Sequence, residues 1–477
     1  MNVTSSVVVD ESDVSGRECM HITYCESHDK KDDALFVKEY IHMNDGEVIP
    51  NFKMIENFER SFWVTKPARR NHKDKLQWEE LDNCTEYRCR EIDLLRRADL
   101  ALGNSGYVNS KRQLFKSPYL WGCGVKPQSL LKYGYATKYP DTKSKLARVG
   151  VIDTETDVLN GTGNIIMGAF TFKTKAIIAI DRHFFGNTPD EIIEQRFLVK
   201  LEEILGDVIR ERNIDVELKL VNNDGEVSKA MLDRAHEWQP DFVTFWNMDF
   251  DIPKMMDSLT RNGFDLADCF SDPKVPEKYR FFKYTPGSSV KKIHDGSTMS
   301  INPEQRWHIA QCPASFFLMD AMTTYWRLRI AAGMEEGYSL ESVLQRNLNI
   351  GKVEIEEVAH LDGIDRHKEM QTNYKYEYAV YCLFDSISTE MLDEETGDIS
   401  VKVPAMCKYS DFTDFKSGPT RIADEMHYHC LEQGYVFGVT DGDIRDENDG
   451  FILKSVDWII TLPAYMGNNL GIDFVEG

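Results

Sequence analysis

Leu146-Ala147-Arg148-Val149-Gly150-Val151-Ile152-Asp153-Thr154-Glu155-Thr156 is the stretch on which the reading of this chain turns. A short, mostly apolar run leads into two acids separated by one residue. Such a run predicts a buried strand. Side chains alternate faces along a strand, so Asp153 and Glu155 share one face and Thr154 takes the other. Two carboxylates at a strand end can share a divalent cation, and oxygen-only donors favour Mg²⁺ or Mn²⁺. In an acidic chain the same triplet also arises by chance, as a solvated strand end.

The flanking pattern is that of an α/β fold. Asn160-Gly161-Thr162-Gly163 marks a turn, and strands are expected over Ile165–Phe172 and Ala176–Ile180. Pro189 opens a helix on which Ile192, Phe197, Leu201, Ile204, Leu205 and Val208 recur at helical spacing. A strand over Val216–Val221, a helix over Val227–Trp238, a strand over Asp241–Trp246 and a helix over Ile252–Arg261 follow. Residues 270–318 are rich in Lys, Gly and Pro and suggest an inserted β-hairpin. Helices are expected over Met319–Ile330, Ser339–Leu348 and Tyr374–Leu392. Antiparallel strands first and helix-separated strands later make a mixed α/β sheet. Residues 31–145 read as α+β, with residues 1–30 an arm or an edge strand. The tail combines a helix over Ala423–Gln433 with short strands and a last apolar piece, Trp458–Tyr465.

Two further pieces carry acids. In Asn247-Met248-Asp249-Phe250-Asp251, Asp251 stands where a strand turns into a helix, and open α/β sheets gather ligands at such ends. Helix capping by Asp251 is the plain alternative and is compatible with metal binding. Asn247 can contact a phosphate or sugar without adding charge, and Phe250 can stack on a base. In Tyr381-Cys382-Leu383-Phe384-Asp385, Tyr381 and Asp385 are one helical turn apart on one face. A phenol there can orient an attacking water; a buried tyrosine beside a surface acid is the alternative. Taken jointly, Asp153, Glu155, Asp251 and Asp385 are candidate ligands for two cations about 4 Å apart, the arrangement for in-line attack on a phosphodiester. With Tyr381 they make the candidate catalytic set.

A length of 477 residues suits two or three domains. No apolar run reaches a membrane span and no basic leader precedes an apolar stretch, so a cytoplasmic protein is expected. The ten cysteines form no CxxC pair and read as reduced thiols rather than a zinc site. A net charge of −23 opposes long-range attraction to DNA. Either the DNA-facing surface is local or a partner supplies the affinity. Lys111 to Arg148 holds nine basic residues against one acid, with aromatics interleaved. That composition fits a strand-tracking groove or a solvated edge.

On these motifs the chain resembles the 3′–5′ exonuclease part of family B DNA polymerases. Asp153-Thr154-Glu155-Thr156, Asn247…Phe250-Asp251 and Tyr381…Asp385 are similar to that family's three exonuclease motifs. The likeness extends to Leu318-Met319-Asp320 with Tyr325, to Tyr338-Ser339-Leu340…Gly351-Lys352, and to Ser455–Ile460, which resembles a palm-proximal segment of T-even-type phage enzymes. It covers most of residues 115–465; residues 1–114 match loosely, and the second motif is one residue shorter than in T-even-type enzymes.

The resemblance implies an RNase H-like exonuclease domain over 146–395, with a mixed five-stranded sheet and an inserted hairpin. It implies a family-type N-terminal domain over 1–145 and a segment over 396–477 leading towards a palm. It also implies two Mg²⁺ or Mn²⁺ ions on the four acids, Tyr381 orienting water, and Thr156, Asn247 and Phe250 along the path of a single-stranded 3′ end. The family's polymerase motifs DxxSLYPS, KxxxNxxYG and DTDS are missing; Thr440-Asp441-Gly442-Asp443 resembles the last only superficially. The expectation is therefore a proofreading subunit of a split polymerase. Its partners would be the DNA primer-template and a separate polymerase chain, with a sliding clamp left open, in an infected bacterial cell if phage-encoded. A non-catalytic scaffold subunit and a stand-alone exonuclease for repair or RNA trimming remain the alternatives.

Overall fold

The computed structural model describes residues 2–438 apart from Ser6, residues 293–295 and Glu354. The Thr440–Asp443, Ser455–Ile460 and Trp458–Tyr465 pieces lie outside the described residues.

The chain begins with four antiparallel strands, β1 (Asn2–Ser5), β2 (Val14–Glu26), β3 (Asp33–Met43) and β4 (Val48–Glu56), in the order β1-β4-β3-β2. Next come β5 (Glu59–Thr65), β6 (Trp78–Glu80), β7 (Cys84–Arg90), α1 (Leu94–Leu102), α2 (Lys111–Phe115) and β8 (Leu120–Trp121). After α3 (Pro127–Lys138) the main sheet begins: β9 (Val149–Thr156), β10 (Ile165–Phe172), β11 (Lys175–Asp181), α4 (Asp190–Arg212), β12 (Asp215–Val221), α5 (Asp224–Trp238), β13 (Phe242–Phe245), α6 (Met248–Arg261) and α7 (Leu266–Phe270). Short strands β14 (Lys283–Thr285), β15 (Val290–Lys292), β16 (Thr298–Ser300), β17 (Ile309–Gln311) and β18 (Phe317–Asp320) follow. The remaining elements are α8 (Ala321–Arg329), α9 (Leu340–Leu348), α10 (Gly363–Asn373), α11 (Lys375–Thr396), α12 (Val403–Met406), α13 (Gly418–Glu432) and β19 (Tyr435–Phe437).

Contacts divide the chain into two units. The first holds the N-terminal strands to Phe58, Pro127–Arg329 and Met334–Arg421; the second holds Glu59–Lys126, Ile330–Gly333 and the described residues from Ile422 on. This grouping differs from a division at residues 145 and 395. The reason is packing: Met20 and Tyr40 of the N-terminal sheet share a buried cluster with Val149, Val151 and Phe242. In the second unit β5 pairs with β7 and β8, and β6 with β19, around Phe62, Trp63 and Trp121.

The main sheet is mixed, with strand order β12-β11-β10-β9-β13-β18-β17-β14. It has eight strands, not five, because β18 pairs parallel to β13, β17 pairs antiparallel to β18 and β14 pairs antiparallel to β17. The β15–β16 pair stands apart as an exposed antiparallel ribbon. Alternation along β10 builds two cores. Phe170 and Phe172 pack with α5 and α6, whereas Met167 and Ala169 pack with α4 and α11. The result is a helix–sheet–helix sandwich with β9 near its centre. Gly150 is required there: a Cβ on it would meet the Phe170 ring at 2.7 Å.

A buried polar knot fixes where β9 and β13 begin. Asp241, fully buried, accepts from Tyr40 Oη at 2.6 Å and from the Arg148 backbone N–H at 2.7 Å. The Arg148 guanidinium donates to Tyr40 Oη at 2.7 Å and to the Gln239 carbonyl at 2.8 Å. Both donors reach Oδ2 of Asp241, and its buried Oδ1 has no hydrogen-bond partner. Among the described residues no helix is long and apolar enough to cross a membrane.

Tyr40→Phe keeps the ring and leaves Asp241 one donor short. A loss of about 1–3 kcal/mol in denaturant stability is expected; an unchanged unfolding midpoint would contradict the role given to this knot.

Candidate metal centre

The acids converge because of two local patterns. On β9, Asp153 and Glu155 are half-buried and Thr154 is buried, as the two-residue alternation requires. Helix α11 lies across β9 and β10 and runs buried from Tyr378 to Glu390. Tyr378, Tyr381, Cys382 and Asp385 fall at positions i, i+3, i+4 and i+7, one stripe of that helix. The stripe faces the acidic end of β9, with Cys382 Sγ 3.9 Å from the Asp153 carbonyl.

Oxygens of Asp153, Glu155 and Asp385 all lie within 4.8 Å of one another, so this cluster could hold a metal ion. At that spacing, with an effective dielectric of ~20, each ionised pair repels by about 3 kcal/mol. Burial and this mutual repulsion drive the acids upward. Asp153 is raised well above the ordinary aspartate value by burial, then by Asp385, Asp251 and Glu155. Glu155 is pushed up to about 7, burial leading and a hydrogen bond from Tyr378 opposing. Asp385 is raised by burial, with Lys352 opposing.

Three neighbours partly answer the charge. The Lys352 ammonium donates to Asp385 Oδ2 and, at 2.8 Å, to Tyr381 Oη. Burial works against that ammonium, yet Asp385 and Tyr381 hold its pKa above the usual lysine value. Tyr378 Oη donates to Glu155 Oε2, and the His367 Nδ1 lies 2.9 Å from the same hydroxyl and 3.7 Å from Glu155. Burial lowers the His367 pKa and keeps the imidazole neutral. One position stays unanswered: Asp385 Oδ1 is buried and has no hydrogen-bond partner. A buried carboxylate oxygen beside two other carboxylates, in an all-oxygen donor set, fits a hard divalent cation.

The other sequence candidates are arranged differently. Asp251 does not join the three-acid group at that distance. Its Oδ1 accepts from Thr154 Oγ1 at 2.6 Å, and burial carries its pKa to about 7, with Thr154 opposing and Asp320 adding. Nor does Asp251 cap its helix: α6 begins at Met248 with Asn247 in the cap position, so Asp251 sits in the first turn. Asn247 Oδ1 is buried without a partner, and Phe250, three residues on, is 40% exposed. Thr156 is buried, and its carbonyl accepts from Gln371 Nε2 at 2.8 Å.

Sequence reasoning passed over Tyr378, His367 and a role for Lys352 at this centre. The stripe spacing on α11 could have found Tyr378; no periodicity marks a loop lysine 33 residues before Asp385. Asp320 was also missed as a support. It accepts from the Thr323 N–H at 2.7 Å and the Met248 N–H at 3.2 Å, tying the starts of α8 and α6 together.

The basic segment Lys111–Arg148 mixes exposed lysines, among them Lys138, Lys143 and Lys145, with residues that turn inward. Lys132 and Arg148 turn inward, Trp121 is buried, and the Tyr119 and Tyr135 hydroxyls are bonded to the His72 carbonyl and Glu39.

Compared with known proteins, the chain matches no protein-family model and no curated protein.

Glu155 and Asp251, raised to about 7, are proton-bearing below that pH and must ionise to hold a cation. Without cations, their contribution to stability is present at low pH and is lost as pH rises towards 7. Mn²⁺ titration at about pH 6 should release protons and show weaker affinity than at about pH 8. The melting-point gain on adding Mn²⁺ should be larger at the higher pH. Equal affinity and no proton release at both would show that these acids are not the ligands.

Proposed function

We propose that this chain is a metal-dependent 3′–5′ exonuclease that removes nucleotides from a single-stranded DNA end. The observation that carries the reading is the buried cluster of Asp153, Glu155 and Asp385 with Tyr381 on the same helix as Asp385. The mixed sheet, with β9 antiparallel to β10 and parallel to β13, supports an RNase H-like fold for this region.

In this reading Asp153, Glu155 and Asp385 hold Mg²⁺ or Mn²⁺, and Asp251 joins them once its carboxylate is drawn off Thr154. When bound, two such ions supply a hydroxide nucleophile at neutral pH and charge stabilisation at the leaving 3′ oxygen. The chain's own groups do the positioning. Tyr381, its hydroxyl held by Lys352, orients the attacking water. The Lys352 ammonium steadies Asp385 against its neighbours and offers a donor for phosphate oxygen. Tyr378 fixes the Glu155 carboxylate. Asn247, with a spare buried carbonyl oxygen, and exposed Phe250 receive the terminal sugar and base.

The three motifs, their order and the palm-proximal likeness in the sequence support a proofreading role beside a family B polymerase. Polymerisation then belongs to a palm that these 477 residues do not contain. A net charge of −23 accords with a module that receives its 3′ end from a partner already holding the duplex.

Asp153→Ala and Glu155→Ala should each slow digestion of a single-stranded 3′ end by about a thousandfold or more, equivalent to about 4 kcal/mol of barrier. Tyr381→Phe should cost about a hundredfold. Circular dichroism should be unchanged in all three. Wild-type digestion by either alanine variant would remove these residues from the chemistry.

A further inference from the structure

The first unit also holds a cavity away from the acid motifs. It measures about 680 Å³ and lies between β2, α3 and the segment around Ser400–Phe412. That volume is of the order that encloses a small ligand. At its wall stands Lys132, only 6% exposed. Its ammonium donates to the Ser410 carbonyl at 2.7 Å and lies 4.4 Å from the centre of the Phe412 ring. Among the described residues no carboxylate lies within ion-pair distance of it.

Two thiols and an imidazole near this ammonium carry no charge. Burial pushes the Cys19 and Cys407 thiols up to about 12, so neither supplies an anion. His21 is buried with both ring nitrogens unpartnered, and burial drives its pKa down to about 3. A buried ammonium with one carbonyl and one ring face is poorly compensated, because a desolvated charge needs an opposite charge or a full set of hydrogen bonds. Two of its three N–H donors remain available.

The rest of the lining indicates what would satisfy it. Lys145 and Lys408 are exposed at the rim. Arg17 is already committed to Glu11 and Glu39, and the cavity's one carboxylate, Glu18, is raised by burial. A cation would be repelled here, whereas an oxyanion is favoured by the Lys132 ammonium in the wall and by the lysines at the rim. Tyr135, Tyr139 and Tyr409 also line the cavity with amphipathic ring surface, each ring also lying under a lysine ammonium (Lys53, Lys138 and Lys408).

We propose that this cavity binds a small phosphomonoester carrying an aromatic ring, the chemistry of a mononucleotide. Lys132 is its buried phosphate anchor, and the tyrosines receive its ring. The inference is independent of the exonuclease reading.

The test is isothermal titration of the full chain with AMP, run in EDTA so that the carboxylate centre carries no cation. Ribose 5-phosphate and adenosine are titrated in parallel. AMP should bind one-to-one with a Kd of about 1 mM or tighter, and each half-molecule about tenfold more weakly. Lys132→Met should weaken AMP by at least about tenfold with an unchanged circular dichroism spectrum. Should that variant not fold, Lys145→Glu combined with Lys408→Glu must weaken AMP by a similar factor. Absence of saturable AMP binding, or AMP affinity unchanged in the tested variant, overturns the site. Adenosine binding as tightly as AMP overturns the phosphate anchor, and ribose 5-phosphate binding as tightly overturns the ring contact.

Discussion

Everything about the acid centre depends on one electrostatic constraint. Three carboxylates, Asp153, Glu155 and Asp385, are pressed within 4.8 Å of one another in a place that water cannot fully solvate. Such a cluster is repulsive when ionised, and only protons, a lysine or metal ions can relieve it. The chain uses the first two in the arrangement seen here: raised pKa values on all three acids and the Lys352 ammonium against Asp385. The third remains possible because Asp385 Oδ1 has no partner.

Holding repelling groups together needs a stiff frame, and the two ends of β9 divide the work. At its start, the Tyr40–Asp241–Arg148 knot joins the N-terminal sheet to the first residues of β9 and β13. Because β9 and β13 are parallel and in register from Val149 and Phe242, fixing their starts also fixes how their far ends stand relative to each other. At those far ends are the β9 acids and the turn into α6 that carries Asp251. Gly150 lets Phe170 close against β9 without displacement, and α11 lies across the same strands. The mechanical anchor and the chemistry are thus separated by the length of a short strand.

The overall charge of −23 and the local positive cavity describe the same logic at two scales. Lysines and arginines in the Lys111–Arg148 stretch meet different fates. Arg148 completes the knot, Lys132 stands buried beside a cavity, and Lys145 remains at the rim. Composition alone could not distinguish these fates, because a lysine's role depends on which carbonyl, ring or carboxylate the fold brings to its ammonium.

The sequence by itself determined the α/β order and the placing of Asp153 and Glu155 on one strand face, and it paired Tyr381 with Asp385 on one helix face. Periodicity is local, so these features needed no knowledge of the rest of the chain. Only the tertiary structure decided that the main sheet has eight strands. The pairing of β18 with β13, of β17 with β18 and of β14 with β17 joins short segments whose own pattern is too brief to read. It also decided that Asp251 leans on Thr154, that Tyr378 and His367 serve Glu155, and that Lys352 reaches Asp385 from a loop. Contacts between residues tens to hundreds of positions apart follow from packing and desolvation, which no local spacing encodes.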